Sequence, residues 1–271
     1  MVATDQLASN PNYWQLAPDA GWQGFSGMEP GFAITDPNKL TLLTPGFDRE
    51  TGAYAEHGIP APVVAQFLRE NRIVAEKNDL NSLLFLLTPG VEASKAGTLI
   101  SGLVAFKKLH DDNALLEEAI PEFYRRRPGR YAGVRLRDLC GEMHRFFRDH
   151  DVSGLQNRQF SPEHLPEMAM SPHDAARCLT RNDVDYLPID AIAGRIATTP
   201  FVVYPPGIAT IVPGERLTER AKPMIDYLKM FEACFNAFPG FEVEIQGVYR
   251  EFDAEGRVRL HTYVVSEQAQ G

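Results

Sequence analysis

The sequence predicts a mixed α/β (α+β) protein of two units behind an extended lead-in. Three observations carry that prediction. Between Leu40 and Asp112, short apolar runs closed by Pro-Gly alternate with stretches of helical period. Near the C-terminus a long apolar stripe (Met224, Ile225, Leu228, Phe231, Phe235) precedes two strand-like runs near Val243–Tyr249 and Val258–Val265. A chain of 271 residues that is 44% apolar can bury one large core or two modest ones, and its length favours two.

Residues 1–36 are rich in Asn, Pro, Gly and Asp, with aromatics at Tyr13, Trp14, Trp22 and Phe25, and are expected to be an extended lead-in. Leu40–Thr44 reads as a strand ended by Pro45-Gly46. In Ala61–Asn71, Val63, Val64, Phe67 and Leu68 recur at helical spacing. Ile73-Val74-Ala75 is expected to be a short strand, and Leu83–Thr88 a second, closed by Pro89-Gly90. A helix then places Leu99, Leu103 and Phe106 on one face, with Lys107 and Lys108 near its negative end. Val134–His150 is a further amphipathic helix with Leu136, Leu139, Met143, Phe146 and Phe147 inward.

Residues 151–166 read as polar and irregular, which sets the expected boundary between a unit at 37–150 and a unit at 151–271. Ser171-Pro172-His173-Asp174 is a helix start: Ser171 caps, Pro172 takes the first helical position, and Asp174 faces the positive end of the dipole. A β-rich stretch over Val184–Val212 is broken at Tyr204-Pro205-Pro206-Gly207 and ended by Pro213-Gly214. The helix Thr218–Phe238 follows. Asp253-Ala254-Glu255-Gly256 is the hairpin turn between the last two strands.

Composition excludes several classes. A net charge of −9 argues against a nucleic-acid partner, which needs a clustered basic face. The densest basic run, Arg125-Arg126-Arg127 with Arg130, lies about Pro128 and reads as a solvated loop. Cys140, Cys178 and Cys234 are odd in number and far apart, as expected for reduced thiols in a cytoplasmic protein, and form no metal or disulfide pattern. No basic flank followed by an apolar core marks a secretory signal, and Leu83–Leu87 is too short to span a bilayer.

The chain also lacks a Gly-x-Ser-x-Gly elbow, a Walker loop, a dinucleotide fingerprint and a His-Glu-x-x-His helix. Glu142 and His144 are two apart and fall on different helix faces, so they form no metal site. His110-Asp111-Asp112 reads as polar residues at a helix end. Ser94-Lys95 could be read as a Schiff-base lysine, but no pyridine-pairing acid and no phosphate loop accompany it. Glu76 follows an expected strand, where open α/β sheets present functional groups; it is either such a group or a solvated partner of Lys77. In Tyr204-Pro205-Pro206-Gly207 two prolines and a glycine make a stiff turn, which either packs Tyr204 or holds its phenol at a pocket mouth.

An ordered series of segments goes further. Gly58-Ile59-Pro60-Ala61, Ile73-Val74-Ala75-Glu76-Lys77 and Leu83-Leu84-Phe85-Leu86 are followed by Phe106–Asn113 and Leu136–Cys140. Gly194-Arg195-Ile196-Ala197, Tyr204-Pro205-Pro206-Gly207-Ile208, Pro213-Gly214-Glu215, Phe238-Pro239-Gly240-Phe241-Glu242 and Gln246-Gly247 complete it. Over most of residues 14–265 this succession resembles the bacterial ornithine/lysine/arginine decarboxylases, pyridoxal-phosphate (PLP) enzymes of aspartate-aminotransferase-like fold.

The resemblance implies an aminotransferase-like small subdomain at 37–150 and the family's C-terminal domain at 151–271. It implies a decarboxylase acting on lysine, ornithine or arginine, with the cofactor-lysine domain and its Ser-x-His-Lys segment outside this sequence. No catalytic, cofactor-binding or metal residue is then expected here, and PLP belongs to the complete enzyme rather than to this chain alone. Glu76 falls on the family's acidic position facing the substrate's distal cation, and Tyr204 on the tyrosine near the active-site entrance. Where the family commonly shows Glu-Lys-Thr-Gly, this sequence has Glu76-Lys77-Asn78-Asp79. The expected partners are the missing PLP domain or an intact decarboxylase subunit, in a homodimer or higher oligomer. The alternative is a non-catalytic regulatory or binding module that associates with an intact enzyme.

Overall fold

The structure, a computed structural model, describes residues 2–16, 29, 31–204 and 207–270. Trp22, Phe25, Pro205 and Pro206 therefore lie outside the described residues. The chain forms two compact units, Met1–Lys108 and Leu109–Gly271.

In the first unit the lead-in is not uniformly extended. It contains helix α1 (Thr4–Ser9) and a 3-10 turn, Pro11–Tyr13, begun by Asn10, whose side chain accepts from the Asn12 N–H at 3.1 Å. The core is built on a three-stranded antiparallel sheet. Strands β1 (Lys39–Leu43) and β3 (Ser82–Leu86) pair along their length, and the short β2 (Lys77–Asn78) lies on the other side of β3. Helix α2 (Ala61–Glu70) carries Pro62 in its first turn, where the missing N–H costs nothing, and turns Val63, Val64, Phe67 and Leu68 inward. Each such fully buried side chain contributes roughly 1.5–3 kcal/mol of apolar transfer energy. Helix α3 (Ala93–Asp111) meets α2 through an edge-to-face pair, Phe67 and Phe106, at 5.4 Å. Its contact face is narrower than its periodicity predicts: Phe106 is buried, Leu99 and Leu103 only half so.

The predicted strand at Ile73–Ala75 does not form. Arg72 adopts the left-handed region (φ 62°) and the Ile73 N–H bonds back to the Leu68 carbonyl at 2.9 Å, so the chain is still leaving α2. Val74 is 72% exposed, and strand pairing begins at Lys77. Glu76 thus enters a strand rather than ending one.

The second unit opens with short helices: α4 (Leu116–Ala119), α5 (Pro121–Arg126) and α6 (Pro128–Tyr131). The arginine run is therefore helical rather than a solvated loop, because Pro121 and Pro128 each start a turn. Helix α7 (Leu136–Asp149) buries Leu136, Leu139, Met143 and Phe147 as its period requires, while Phe146 is half-buried. The segment expected to be irregular contains α8 (Val152–Arg158), which buries Val152 and Leu155 amid polar neighbours. Helix α9 (Pro172–Arg181) begins as expected, with the Ser171 hydroxyl accepting from the Asp174 N–H at 3.1 Å.

Three small antiparallel sheets complete this unit. Strand β4 (Glu167–Met168) pairs with β8 (Glu215–Arg216). Strand β6 (Phe201–Tyr204) lies between β7 (Ile208–Ile211) and β9 (Glu244–Gln246). Strand β11 (Val258–Val265) lies between β10 (Tyr249–Phe252) and β5 (Val184–Pro188). Helix α10 (Lys222–Ala237) packs its apolar stripe against α8 and β11.

The run predicted as one strand over Val243–Tyr249 is two, β9 and β10, in different sheets. Gly247 separates them at φ 78°, and a Cβ there would sit 2.1 Å from the Pro200 carbonyl oxygen. Gly247→Ala should cost about 2 kcal/mol or more, combining left-handed strain with that clash, as a lowered midpoint in urea unfolding. Gly97→Ala, in an exposed turn of α3 with nothing within 4 Å, should gain roughly 0.5–1 kcal/mol in the same measurement.

Candidate functional site

Glu76 belongs to the first unit, and the turn after it fixes where it stands. Its backbone N–H donates to the Leu84 carbonyl at 2.8 Å, which docks it on β3, and its side chain is exposed. Asp79 closes the β2–β3 turn. One carboxylate oxygen accepts from the N–H groups of Asn81 (2.7 Å) and Ser82 (2.6 Å), and the other from the Ser82 hydroxyl (3.0 Å). Asn81 is buried, donates to the Tyr54 hydroxyl at 2.8 Å, and offers its carbonyl to both the N–H and the hydroxyl of Thr44. Where the sequence departs from Glu-Lys-Thr-Gly, the turn is held from within by Asp79 and from outside by the bonds of Asn81 to Thr44 and Tyr54.

Tyr204 belongs to the second unit. It ends β6, pairs with Glu244 of β9, and is 42% exposed. Gly207 reaches φ 86°, donates its N–H to Val203 at 3.0 Å, and would place a Cβ 2.9 Å from the Tyr204 ring. The ring lies over the glycine, so the turn needs a residue without a side chain at that position.

Other residues singled out in the sequence have structural roles. The Arg195 guanidinium donates to the Asp185 carboxylate and to the Val265 carbonyl, tying β5 to the end of β11. Arg130 bonds the Ala237 carbonyl at 3.1 Å and pairs with Glu142 at 2.8 Å. His144 is buried in α7. The Tyr131 hydroxyl donates to the Pro239 carbonyl at 3.0 Å, and burial pushes its phenol pKa upward. Burial likewise pushes the thiols of Cys140 and Cys234 up to about 12, leaving them neutral and inert. Among the described residues no group of His, Cys, Asp and Glu is arranged to hold a metal ion, and no helix is long and apolar enough to cross a membrane.

With this geometry in hand, the class of protein follows. Two models of one family match the chain: "Orn/Lys/Arg decarboxylase, major domain" over residues 1–95 and "Orn/Lys/Arg decarboxylase, C-terminal domain" over residues 153–266. The chain belongs to the ornithine/lysine/arginine decarboxylase family. Among its relatives, the constitutive ornithine decarboxylase of Escherichia coli is 42% identical over 262 residues, which is 97% of this chain and 36% of the relative. The ornithine decarboxylase of Haemophilus influenzae is 40% identical over 264 residues, again 97% of this chain and 36% of the relative. The solved lysine decarboxylase A of Pseudomonas aeruginosa superposes with a TM-score of 0.86 at 38% identity, covering 94% of this chain and 34% of that one. The chain thus spans about a third of the length of these proteins.

The described lysines do not fit the cofactor that the family implies. A Schiff-base lysine needs an enclosed site with phosphate donors and an acid at the pyridine nitrogen. Lys95 is exposed and donates to the Gly90 carbonyl at 2.8 Å. Lys39, Lys222 and Lys229 stand in surface ion pairs with Asp36, Asp226 and Asp190. Lys107 and Lys108 are exposed on α3, and Lys77 is half-buried on β2 beside Glu76.

Asp79→Ala removes three hydrogen bonds at once and should cost about 1–3 kcal/mol. Amide exchange at Asn81 and Ser82 should accelerate accordingly, while exchange in β11 should not change.

Proposed function

We propose that this chain is the substrate-facing, cofactor-free part of a PLP-dependent decarboxylase that converts lysine, ornithine or arginine to its amine and carbon dioxide. The observation that carries this reading is the match of nearly the whole chain to about a third of ornithine and lysine decarboxylases. Residues 37–150 are assigned to the small subdomain and 151–271 to the C-terminal domain. The cofactor domain comes from the rest of the polypeptide or from an intact subunit, in a dimer or higher assembly.

Decarboxylation leaves an electron pair on the α-carbon, and bound PLP supplies the sink for it. Within this chain, Glu76 is assigned to the substrate's distal ammonium or guanidinium. Its exposed carboxylate, on a backbone docked to β3, can form a charge-assisted hydrogen bond, and that remote binding energy is available for orienting the reacting end. Tyr204, partly exposed and backed by Gly207, is assigned to the pocket mouth.

Two measurements test these assignments. The purified chain mixed with PLP should show no internal-aldimine absorption band; a band that borohydride fixes onto a lysine of this chain would overturn the division of labour. In the complete enzyme, Glu76→Gln should lower kcat/KM for the basic substrate by roughly tenfold to a hundredfold, the loss of one charged hydrogen bond. An unchanged kcat/KM would remove Glu76 from the substrate site.

A further inference from the structure

Strand β1 is a free edge of the first unit's sheet. Among the described residues it pairs only with β3, and none of its five residues is fully buried. Its hydrogen-bonding parity follows from the bonds at its two ends. Thr44 donates its N–H to Asn81 at 2.9 Å, and Leu87 donates to Asn38 at 2.6 Å. Even-numbered positions of β1 therefore exchange bonds with β3, whereas the N–H and C=O groups of Thr41 and Leu43 point away from the sheet. The Lys39 N–H is taken by Asp36 at 3.1 Å, which leaves the Lys39 carbonyl facing the same open side.

Edges of this kind are normally blunted by proline, by a bulge or by charges along the strand. The interior of Lys39-Leu40-Thr41-Leu42-Leu43 has none of the three. Lys39, at the start, is the only charge and is paired with Asp36 at 3.7 Å. No carboxylate lies on the strand, although the chain as a whole carries −9, so two copies that repel elsewhere can approach here. Both faces present apolar side chains. Leu40 and Leu42 lie opposite Phe85 and Leu83 on the buried face, yet Leu40 is 41% exposed. Leu43 on the other face is 45% exposed, and Leu86 beside Lys39 is exposed too.

We infer that β1 is a docking edge for a second copy of this chain, which adds its own β1 antiparallel to give one continuous six-stranded sheet. The two-fold axis passes beside Thr41. That register is self-complementary, as a symmetric pair requires. Thr41 and the partner's Thr41 exchange both N–H···O bonds across the axis, and each Leu43 N–H donates to the partner's Lys39 carbonyl. Leu40 packs on the partner's Leu42, and the Lys39 stem lies between Leu86 and the partner's Leu43. The two Lys39 ammonium groups stand at opposite ends of the joint, roughly 13 Å apart along the strand and beyond a Debye length at physiological salt. The contact depends neither on Glu76 nor on the activity proposed above.

The test uses the purified 271-residue protein, by sedimentation equilibrium and by amide exchange at rising concentration. Dimers are expected, with the N–H groups of Thr41 and Leu43 gaining protection as they form and those of Leu40 and Leu42 unchanged. Thr41 is exposed, so Thr41→Lys and Thr41→Glu leave the core untouched, and an unchanged urea midpoint verifies the fold. Each variant sets two like charges against each other on the axis and should weaken dimerisation by roughly tenfold or more. An equimolar mixture of the two should recover dimers, because opposite charges then meet. A monomer at every concentration would overturn the inference. So would a dimer indifferent to both variants, which would lie on another surface. Protection of Thr41 and Leu43 that does not depend on concentration would mean that the chain covers its own edge, and protection seen only on adding an intact decarboxylase subunit would give the edge to that partner. Either result overturns the pairing of two copies.

Discussion

Strand β11 is the element on which the second unit depends. It pairs with β10 on one side and β5 on the other, and its alternate residues Val258, Leu260, Thr262 and Val264 are buried. Its ends are tied as well as its edges. The Val265 N–H donates to Ile196 at 2.9 Å and its carbonyl accepts from Arg195, while the Thr262 hydroxyl donates to Gly247 at 2.6 Å. A slip of one residue would turn Arg259, His261 and Tyr263 toward the core and expel the buried set. Register is thus over-determined, and the pairing of Arg195 with Asp185 on the neighbouring β5 follows from it.

The first unit relies on a turn in the same way that the second relies on a strand. Strand β2 has only two residues, too few to hold its own register. What fixes it is Asp79, which gathers two backbone N–H groups and a hydroxyl, and Asn81, which anchors the turn to Thr44 and Tyr54. Glu76 is then placed by hydrogen bonds three to eight residues downstream of it. A side chain with an exposed tip can still have a well-defined origin when its backbone is locked in this manner.

Much of this was legible in the sequence. The amphipathic periods of α2, α7 and α10, the Ser171 cap and the existence of strands β1 and β3 all follow from local rules that the tertiary structure does not contradict. Two of the misreadings share a cause. Gly247 divides one apolar run into two strands and Arg72 prolongs a helix exit, and a positive φ leaves no trace in hydrophobic period. Helix α8 escaped notice because its two buried apolar residues, Val152 and Leu155, stand among polar ones, and α5 and α6 because three consecutive arginines suggest solvent. At the candidate site, Glu76 and Tyr204 were visible as residues beside turn signals, but the hydrogen bonding of Asp79 was not.

The segments that bear the family resemblance are mostly ones that make the scaffold possible. In Phe238-Pro239-Gly240-Phe241-Glu242, Gly240 sits at φ 107° where a Cβ would be 2.6 Å from the Phe123 ring, and the Pro239 carbonyl receives the Tyr131 hydroxyl. Phe241 packs at a tilt against Phe123 with ring centres 4.5 Å apart, and Arg130 binds the carbonyl of Ala237 just upstream. In Gly194-Arg195-Ile196-Ala197 every residue is engaged with β8, its flank or β11 through backbone or guanidinium bonds. Such segments tolerate few residues because close approach, positive φ and buried pairing each exclude most side chains. Glu76 and Tyr204 differ in kind: their backbones are locked, while their side chains reach solvent and no apolar core depends on them. Substitution at Glu76 or Tyr204 should leave the fold intact, whereas substitution at Gly240 or Arg195 acts on the fold itself.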